Sequence, residues 1–310
     1  MADDTSSSAF LTDLVSSGHL LPLGADGVYG HGSAFEAIVE GVQQAITERG
    51  ADQRATSVRL PPVYPAADFA RTGYPVSFPH LGGAVFTFRG SEQWCRSSSA
   101  DAADEAEQDG WTASLGPSDL VLVPAACQPV YALQRGALPA GGRVLDVLAQ
   151  CFRREPSSDP FRMQTFRQRE YVYLGDAAGA RTHLDTWRAR GVELLREIGL
   201  AASPSAASDP FFGRAGRLLA ANQRDAGAKT ELVVPVPATG TEGKPTSWAV
   251  ASCNHHGDHF GVSFGISSGG APAHTACVGF GLERLTLALF GTHGMDPVRW
   301  PVSVRKALFL

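Results

Sequence analysis

The sequence predicts an α+β fold, an antiparallel sheet flanked by helices. Three observations lead to this prediction. Short runs rich in valine, leucine and aromatic residues recur along the chain and end at proline or glycine, as strands do. Longer segments place apolar residues at helical spacing. Two of the strand-like runs face each other across a short polar loop, which is typical of antiparallel pairing.

The order of these signals defines the organisation of the chain. Residues 1–30 are rich in serine, glycine and aspartate, so we expect a flexible arm there and one domain over 31–310. The first helix ends at Gly50, and Pro61 ends the strand that follows it. The predicted elements are a helix over 34–50, strands over 55–60, 84–88 and 120–124, a strand pair over 144–156 and 163–175, helices over 182–200 and 211–227, a strand or hairpin over 247–266, and a strand that turns through glycines into a helix over 276–291.

Composition excludes several classes of protein. The 310 residues are 44% hydrophobic, enough to bury a substantial core, and 31 acidic against 26 basic residues leave a net charge of −5. That balance gives no overall attraction to nucleic acid. We expect a cytoplasmic protein, because no apolar run is long enough for a bilayer and the polar, acidic start does not resemble a secretory signal. The five cysteines form no CxxC, which is typical of reduced thiols.

Polar side chains follow the predicted strand pair. On the first strand Arg153 and Glu155 share one face, a spacing that a surface ion pair would also explain. The second strand changes this interpretation, because its alternation puts an arginine, a ring, an amide and a carboxylate on one face: Arg162, Phe166, Gln168 and Glu170. Such a surface suits a nucleoside triphosphate, which needs partners for its phosphates, its base and its exocyclic amine. A further arginine, Arg284, follows a glycine-flanked turn and opens a helix.

These motifs resemble the three signature motifs of class II aminoacyl-tRNA synthetases, in the same order. The helix and strand that end at Pro61 resemble motif 1, the dimer element, while residues 151–173 resemble motif 2 and residues 279–289 (GFGLERLTLAL) resemble motif 3. TGYPVSFPH and SCNHHGDHF are similar to segments of the seryl branch. The resemblance covers roughly residues 35–310, and it implies a homodimer with a synthetase-like catalytic domain.

The resemblance also implies which side chains bind ATP. Arg153 would hold the α-phosphate, Glu155 the adenine amine and Arg162 the outer phosphates. Phe166 and Arg284 would stack on the two faces of the adenine, with Arg284 also touching the γ-phosphate. Arg153 and Arg284 would be catalytic, because they stabilise charge in the transition state. The full predicted ATP-binding set is Arg153, Glu155, Arg162, Met163, Phe166, Ala249, Ser252 and Arg284.

Cysteine placement resembles a narrower group. Atypical methanogen-type seryl synthetases, and their truncated relatives the amino acid:[carrier protein] ligases, hold zinc through Cys, Glu and Cys; Cys127, Glu170 and Cys277 stand at those places. Two thiolates and a carboxylate fill three tetrahedral positions and leave one open. The resemblance therefore implies one Zn²⁺ per subunit, with the substrate amino acid bound by Glu170 and the zinc ion. The alternative is that both cysteines are small core residues.

Two features leave alternatives open. Cys253, His255 and His259 share strand parity and could form a second metal site, but the resemblance places them in the pocket and we favour pocket lining. In the family, the glutamate that binds Mg²⁺ stands three residues before Ser252, where this chain has Ala249. The Mg²⁺ that accompanies ATP is therefore held differently or more weakly.

The implied reaction is ATP-dependent activation of a small amino acid, glycine or alanine, and transfer to the phosphopantetheine thiol of a carrier protein. About thirty residues precede motif 1, so we expect no helical arm for tRNA, and neither tRNA nor a membrane among the partners. A carrier-docking helix is predicted near 210–226, with Arg214 and Arg217 on one face. A solvated surface helix is the alternative there. A shortened tRNA synthetase and a non-catalytic regulatory paralogue are the competing functions.

Overall fold

The computed structural model describes residues 4–90, 111–212, 227–241 and 244–310. The helices of these ranges are α1 (Asp4–Ser16), α2 (Ser33–Gly50), α3 (Ala66–Arg71), α4 (Tyr74–Ser77), α5 (Gln128–Ala132), α6 (Ala177–Glu197), α7 (His259–Phe264), α8 (Leu282–His293) and α9 (Val302–Ala307). The strands are β1 (Leu20–Pro22), β2 (Tyr29–His31), β3 (Thr56–Leu60), β4 (Val63–Pro65), β5 (Ala84–Phe88), β6 (Leu115–Leu122), β7 (Gly136–Ala137), β8 (Arg143–Phe152), β9 (Thr165–Gly175), β10 (Ser203–Ala206), β11 (Lys229–Thr241), β12 (Lys244–Gly257), β13 (Ile266–Ser268), β14 (Ala271–Pro272) and β15 (His274–Gly281).

A seven-stranded sheet forms the centre of the fold, in the order β10-β11-β12-β15-β9-β8-β3. Its neighbours pair antiparallel, apart from β3 and β8, which run parallel. Cys151 of β8 lies opposite Phe166 of β9, so the two strands meet around the polar loop as the sequence predicts. The α+β class, with an antiparallel sheet flanked by helices, is confirmed.

Apolar side chains pack on both faces of this sheet. Successive residues of β9 point to opposite sides. Tyr171 and Tyr173 therefore join the core formed with α2, α6 and α8, whereas Val172 and Leu174 join the core formed with α5 and α7. Burial on both sides fixes the register of β9, because a one-residue slip would exchange the two sets.

The first thirty residues differ from the flexible arm that we predicted. Helix α1 and the β1–β2 hairpin occupy this segment. Phe10, Leu14 and Leu20 are buried in the core with α2 and α8. Phe10 and Leu14 lie one helical turn apart and so share a face, but two apolar residues in a serine-rich stretch are too weak a signal for sequence reasoning.

Two other predicted segments have distinct outcomes. Over 247–266 the predicted strand is right up to Gly257, but α7 replaces the continuation, because Gly257 takes a left-handed conformation (φ 59°) that ends the strand. The predicted docking residues Arg214 and Arg217 lie outside the described residues, as do positions 213–226 generally. None of the helices in the described ranges combines the length and the apolar run that a bilayer crossing requires.

Candidate active site

A cavity of about 500 Å³ lies on the face of the sheet that β9, β12 and β15 share. The structure brings ten of the eleven described residues that we predicted for the site to its wall. These ten are Cys127, Arg153, Glu155, Met163, Phe166, Glu170, Ala249, Ser252, Cys277 and Arg284. Their common location agrees with one pocket for nucleotide and amino acid, while their individual roles stay predictions.

Arg162 is the exception. It precedes β9, in the loop after β8, and its side chain is 54% exposed, with Nε 3.9 Å from a carboxylate oxygen of Asp159. Alternation along a strand predicts the direction of a side chain only within the strand. β9 begins at Thr165, after Arg162. Arg162 therefore stands outside the cavity wall, close enough for its charge to act on Arg284.

The alternation of β9 builds the floor of the cavity. Phe166, Gln168 and Glu170 line the cavity, as predicted. Arg167 and Arg169 point to the opposite face, where each is held by buried or half-buried carboxylates. One strand thus supplies cavity residues on one side and ionic anchors on the other.

These anchors are site-supporting contacts that sequence reasoning missed. The Arg167 guanidinium lies 2.6 Å from carboxylate oxygens of both Glu36 and Glu283, and the backbone N–H of Arg167 also donates to Glu283 at 2.6 Å. Arg169 donates two hydrogen bonds to Asp146, at 2.8 and 2.9 Å. Each partner is more than 20 residues away in the chain, and no local pattern connects them.

Two arginines bring positive charge to the cavity. The guanidinium of Arg284 donates to the carbonyls of Phe161 and Ala249, which fixes its position. Burial lowers the pKa of Arg284, and the charge of Arg153 lowers it further. Arg153 donates from Nε to the Pro124 carbonyl at 2.9 Å and lies 5.3 Å from the ring centroid of Phe166. Both arginines are half-buried, and no salt bridge pairs either of them within the described ranges, so the cavity favours a bound polyanion.

Position 249, where the family has its Mg²⁺-binding glutamate, carries alanine in this chain. Ala249 lines the cavity but offers no ligand oxygen from its side chain. Glu231 lies opposite Ser252 on the adjoining strand, and its Oε1 is 3.1 Å from Nζ of Lys229. We therefore assign no protein ligand to Mg²⁺.

Cys127, Glu170 and Cys277 meet at the buried end of the cavity. Among the described residues they form the one group of three whose potential ligand atoms all lie within 4.8 Å of one another. Backbone N–H of Cys127 donates to Oε1 of Glu170 at 3.3 Å, and Oε2 of that carboxylate has no hydrogen-bond partner among the described residues. A buried oxygen without a partner costs free energy unless something binds it.

The protonation of this group also fits a cation. Burial raises the pKa of Glu170, although the neighbouring Cys127 and Cys277 oppose the shift. The hydrogen bond with Cys127 and burial raise the pKa of Cys277 well above its usual value. Two thiolates and a carboxylate this close would repel one another, and a divalent ion would neutralise most of that charge. The residues present therefore fit a zinc ion with three protein ligands.

The histidine segment lines the cavity, as we favoured over a second metal site. His255 and His259 are on the wall, while Cys253 is fully buried in the opposite core. The described residues bring no third ligand to them. Sequence reasoning gave no role to His256, yet its Nε2 lies 3.8 Å from Sγ of Cys277. A bulge between His255 and Gly257 and the start of α7 at His259 interrupt the parity by which we grouped Cys253, His255 and His259.

The fold is that of the catalytic domain of class II aminoacyl-tRNA synthetases. A solved structure of the seryl-tRNA synthetase of Methanopyrus kandleri, in complex with tRNASec of Aquifex aeolicus, superposes with a TM-score of 0.83 over 96% of this chain and 60% of that one, at 20% identity. The seryl-tRNA synthetase of Pyrococcus horikoshii complexed with ATP gives 0.69 over 97% of this chain and 62% of that one, at 14% identity. At these identities the likeness concerns the fold.

Sequence comparison places the chain within a narrower family. It is 42% identical over 314 residues to amino acid–[acyl-carrier-protein] ligase 2 of Bradyrhizobium diazoefficiens, covering 100% of this chain and 91% of that protein. Ligase 1 of the same organism is 43% identical over 93% of this chain and 86% of its own length. No family model matches the chain. The chain belongs to the amino acid–[acyl-carrier-protein] ligase family of enzymes.

Proposed function

We propose that this enzyme activates glycine or alanine with ATP and transfers the aminoacyl group to the phosphopantetheine thiol of a carrier protein. The amino acid's carboxylate attacks the α-phosphorus of ATP, forming an acyl–phosphate bond as pyrophosphate leaves. The carrier thiol then attacks the carbonyl carbon, its proton is released, and AMP departs. The observation that carries the proposal is the position of Cys127, Glu170 and Cys277 on the wall of the cavity that Arg153 and Arg284 also line.

Arg153 and Arg284 would act by position and charge. Arg284 is held by two backbone carbonyls, so its charge is preorganised before ATP binds. Arg153 lies over the ring of Phe166, which places a phosphate partner beside a surface on which adenine can stack. Glu155 lines the same cavity and can accept from the exocyclic amine. We assign no general base, because the carboxylate of the amino acid is already a nucleophile.

Cys127, Glu170 and Cys277 would hold one zinc ion per subunit. When bound, zinc supplies a Lewis-acidic position for the amine of the substrate. Aromatic side chains pack beside these ligands: Tyr131 is fully buried, and its ring stacks on Phe260 at 3.9 Å between centroids. This aromatic packing supports a substrate with a small side chain, a hydrogen or a methyl group.

The remaining assignments rest on the sequence resemblance. We propose a homodimer formed through α2 and β3, a catalytic domain over 31–310, Mg²⁺ that enters with ATP, and docking of the carrier through Arg214 and Arg217. Reversing both arginines to glutamate is expected to impair transfer and to leave adenylation unchanged. An unchanged transfer rate would reject that docking role.

An amino-acid panel in ATP–pyrophosphate exchange tests the proposal, followed by transfer to a phosphopantetheinylated carrier protein and to bulk tRNA. We expect exchange with glycine or alanine and transfer to the carrier. Charging of tRNA instead of the carrier would favour a tRNA synthetase, and no exchange with any amino acid would refute the enzyme assignment. Cys277→Ala is expected to lose zinc and amino-acid activation together. Full zinc in that variant, by elemental analysis, would reject the ligand set.

A further inference from the structure

We propose that His256 is a positioning residue for the Cys277 sulfur, with the Thr275 hydroxyl orienting its ring so that the Nε2–H donates to Sγ. This inference rests on the metal site proposed above and extends it by a contact that the ligand set alone does not contain. It assigns a role to a histidine that sequence reasoning left without one.

The side chain of His256 contacts both Cys277 and Thr275. The ring of His256 lies between two polar atoms, with Nε2 3.8 Å from Sγ of Cys277 and Nδ1 3.1 Å from Oγ1 of Thr275. Thr275 is fully buried, and β15 carries both Thr275 and Cys277 two residues apart on the same face. The phenol of Tyr131 lies on the Nδ1 side as well, at 3.5 Å. The ring is therefore packed between the sulfur and two hydroxyl groups.

The chemistry of the contacts selects one tautomer. A neutral imidazole has one N–H and one acceptor nitrogen, and the partner of one nitrogen decides the proton on the other. A thiolate ligand is an acceptor, so Nε2 must carry the proton that faces Sγ. Nδ1 is then the acceptor, and the hydroxyl of Thr275 is the donor that it meets.

His256 approaches the metal site without joining its ligands. The group of atoms within 4.8 Å of one another contains Cys127, Glu170 and Cys277, and no nitrogen of His256 satisfies that distance to all three. A second donor reaches the same sulfur, because Nδ2 of Asn254 lies 3.7 Å from Sγ of Cys277. Cys277 thus receives two side-chain donors from β12, which stabilise its thiolate and fix its direction.

Metal affinity distinguishes this role from a packing role. His256→Phe keeps a ring of similar size and removes the donor, whereas His256→Gln supplies an amide N–H at a comparable reach. We expect His256→Phe to bind zinc about 10- to 100-fold more weakly than wild type, and His256→Gln to bind it more tightly than His256→Phe. The measurement is competition with a chromophoric chelator at fixed pH. The Co²⁺-substituted proteins give a second readout, since the thiolate-to-cobalt absorption should shift in His256→Phe.

Two comparisons keep the test decisive. His80→Phe makes the same exchange at an exposed histidine away from the cavity wall, and we expect it to keep wild-type zinc affinity. If His256→Phe does not fold, Thr275→Val removes only the orienting hydroxyl and should weaken zinc in the same direction. Wild-type affinity and an unshifted cobalt spectrum in His256→Phe, or in Thr275→Val where it replaces that variant, would overturn the inference while leaving the ligand set intact. A wild-type protein without zinc would overturn the metal site itself.

Discussion

Adding one methyl group at Gly279 should disturb the metal site from the neighbouring strand. Gly279 lies opposite Glu170 in the β15–β9 pairing. A Cβ at this position would stand 2.8 Å from Nε2 of Gln168 and 3.3 Å from Cγ of Glu170. Both distances are below ordinary van der Waals contact, so the two side chains must move. Gly279 has no positive φ, so the substitution acts through space and not through backbone strain.

The magnitude follows from the atoms that must move. Gln168 can rotate, but its Oε1 accepts from the Ala126 N–H at 3.3 Å, a hydrogen bond worth about 1 kcal/mol. Glu170 is fully packed and has to shift by a few tenths of an ångström. Overpacking of this kind costs about 1–3 kcal/mol, and if that cost falls on the metal-bound state, zinc binds about 5- to 140-fold more weakly.

Chelator competition on Gly279→Ala measures this loss, and Gly281→Ala is the matched control. A Cβ at Gly281 would meet Cβ of Arg284 at 3.7 Å and nothing of Glu170, an ordinary contact. Gly281 also lines the cavity, so the comparison is made on zinc affinity. Unchanged zinc affinity in Gly279→Ala would refute the reasoning, and so would an equal loss in both variants.

Three further predictions concern stability and charge. Asp146→Asn leaves the buried guanidinium of Arg169 without its carboxylate and should lower the free energy of unfolding in urea by about 3–5 kcal/mol; Asp185→Asn, in an exposed pair, should cost less than about 0.5 kcal/mol. Burial lowers the pKa of His183 to about 4, below its value in the unfolded chain. The neutral ring therefore contributes to the free energy of unfolding above about pH 6.5, and this contribution is lost as the pH falls toward 4, by about 2 kcal/mol between pH 7 and 5. His183→Leu should show a weaker dependence of unfolding free energy on pH in the acid range. Arg284→Lys keeps the positive charge but removes the planar guanidinium that donates to two backbone carbonyls. The rate of ATP–pyrophosphate exchange should therefore fall about 100-fold. A wild-type slope in His183→Leu, or exchange within a few-fold of wild type in Arg284→Lys, would contradict these two arguments.

The sequence predicted the site best where a strand was regular. The positions of Phe166, Gln168 and Glu170 followed from the period of two along β9, because the strand is unbroken from Thr165 to Gly175. The same rule failed for Arg162, which precedes the strand. It failed again for Cys253, His255 and His259, which do not share a face, because a bulge lies between His255 and Gly257 and His259 begins α7.

Other features depend on long-range contacts that a local pattern does not contain. The first helix packs through Phe10 and Leu14, two residues in a polar stretch, and only the assembled core shows that they are buried. Asp146 and Arg169 are charged residues on predicted strands, and only the fold shows that both are buried. Whether these side chains are buried depends on tertiary packing more than on helix or strand propensity.

The ionic contacts of Arg167 explain how three distant motifs keep one geometry. Glu36 belongs to α2, Arg167 to β9 and Glu283 to the first turn of α8, directly before Arg284. A buried ion pair contributes little net stability compared with apolar packing, but its hydrogen bonds have direction. The guanidinium of Arg167 is planar and is hydrogen-bonded to a carboxylate on each side. A shift of α2 against the sheet would therefore also disturb the ion pair between Arg167 and Glu283, in the first turn of α8. We infer that the ion pairs of Arg167, on the face of the sheet opposite the cavity, fix the start of α8. They thereby fix the position of Arg284 at the cavity wall.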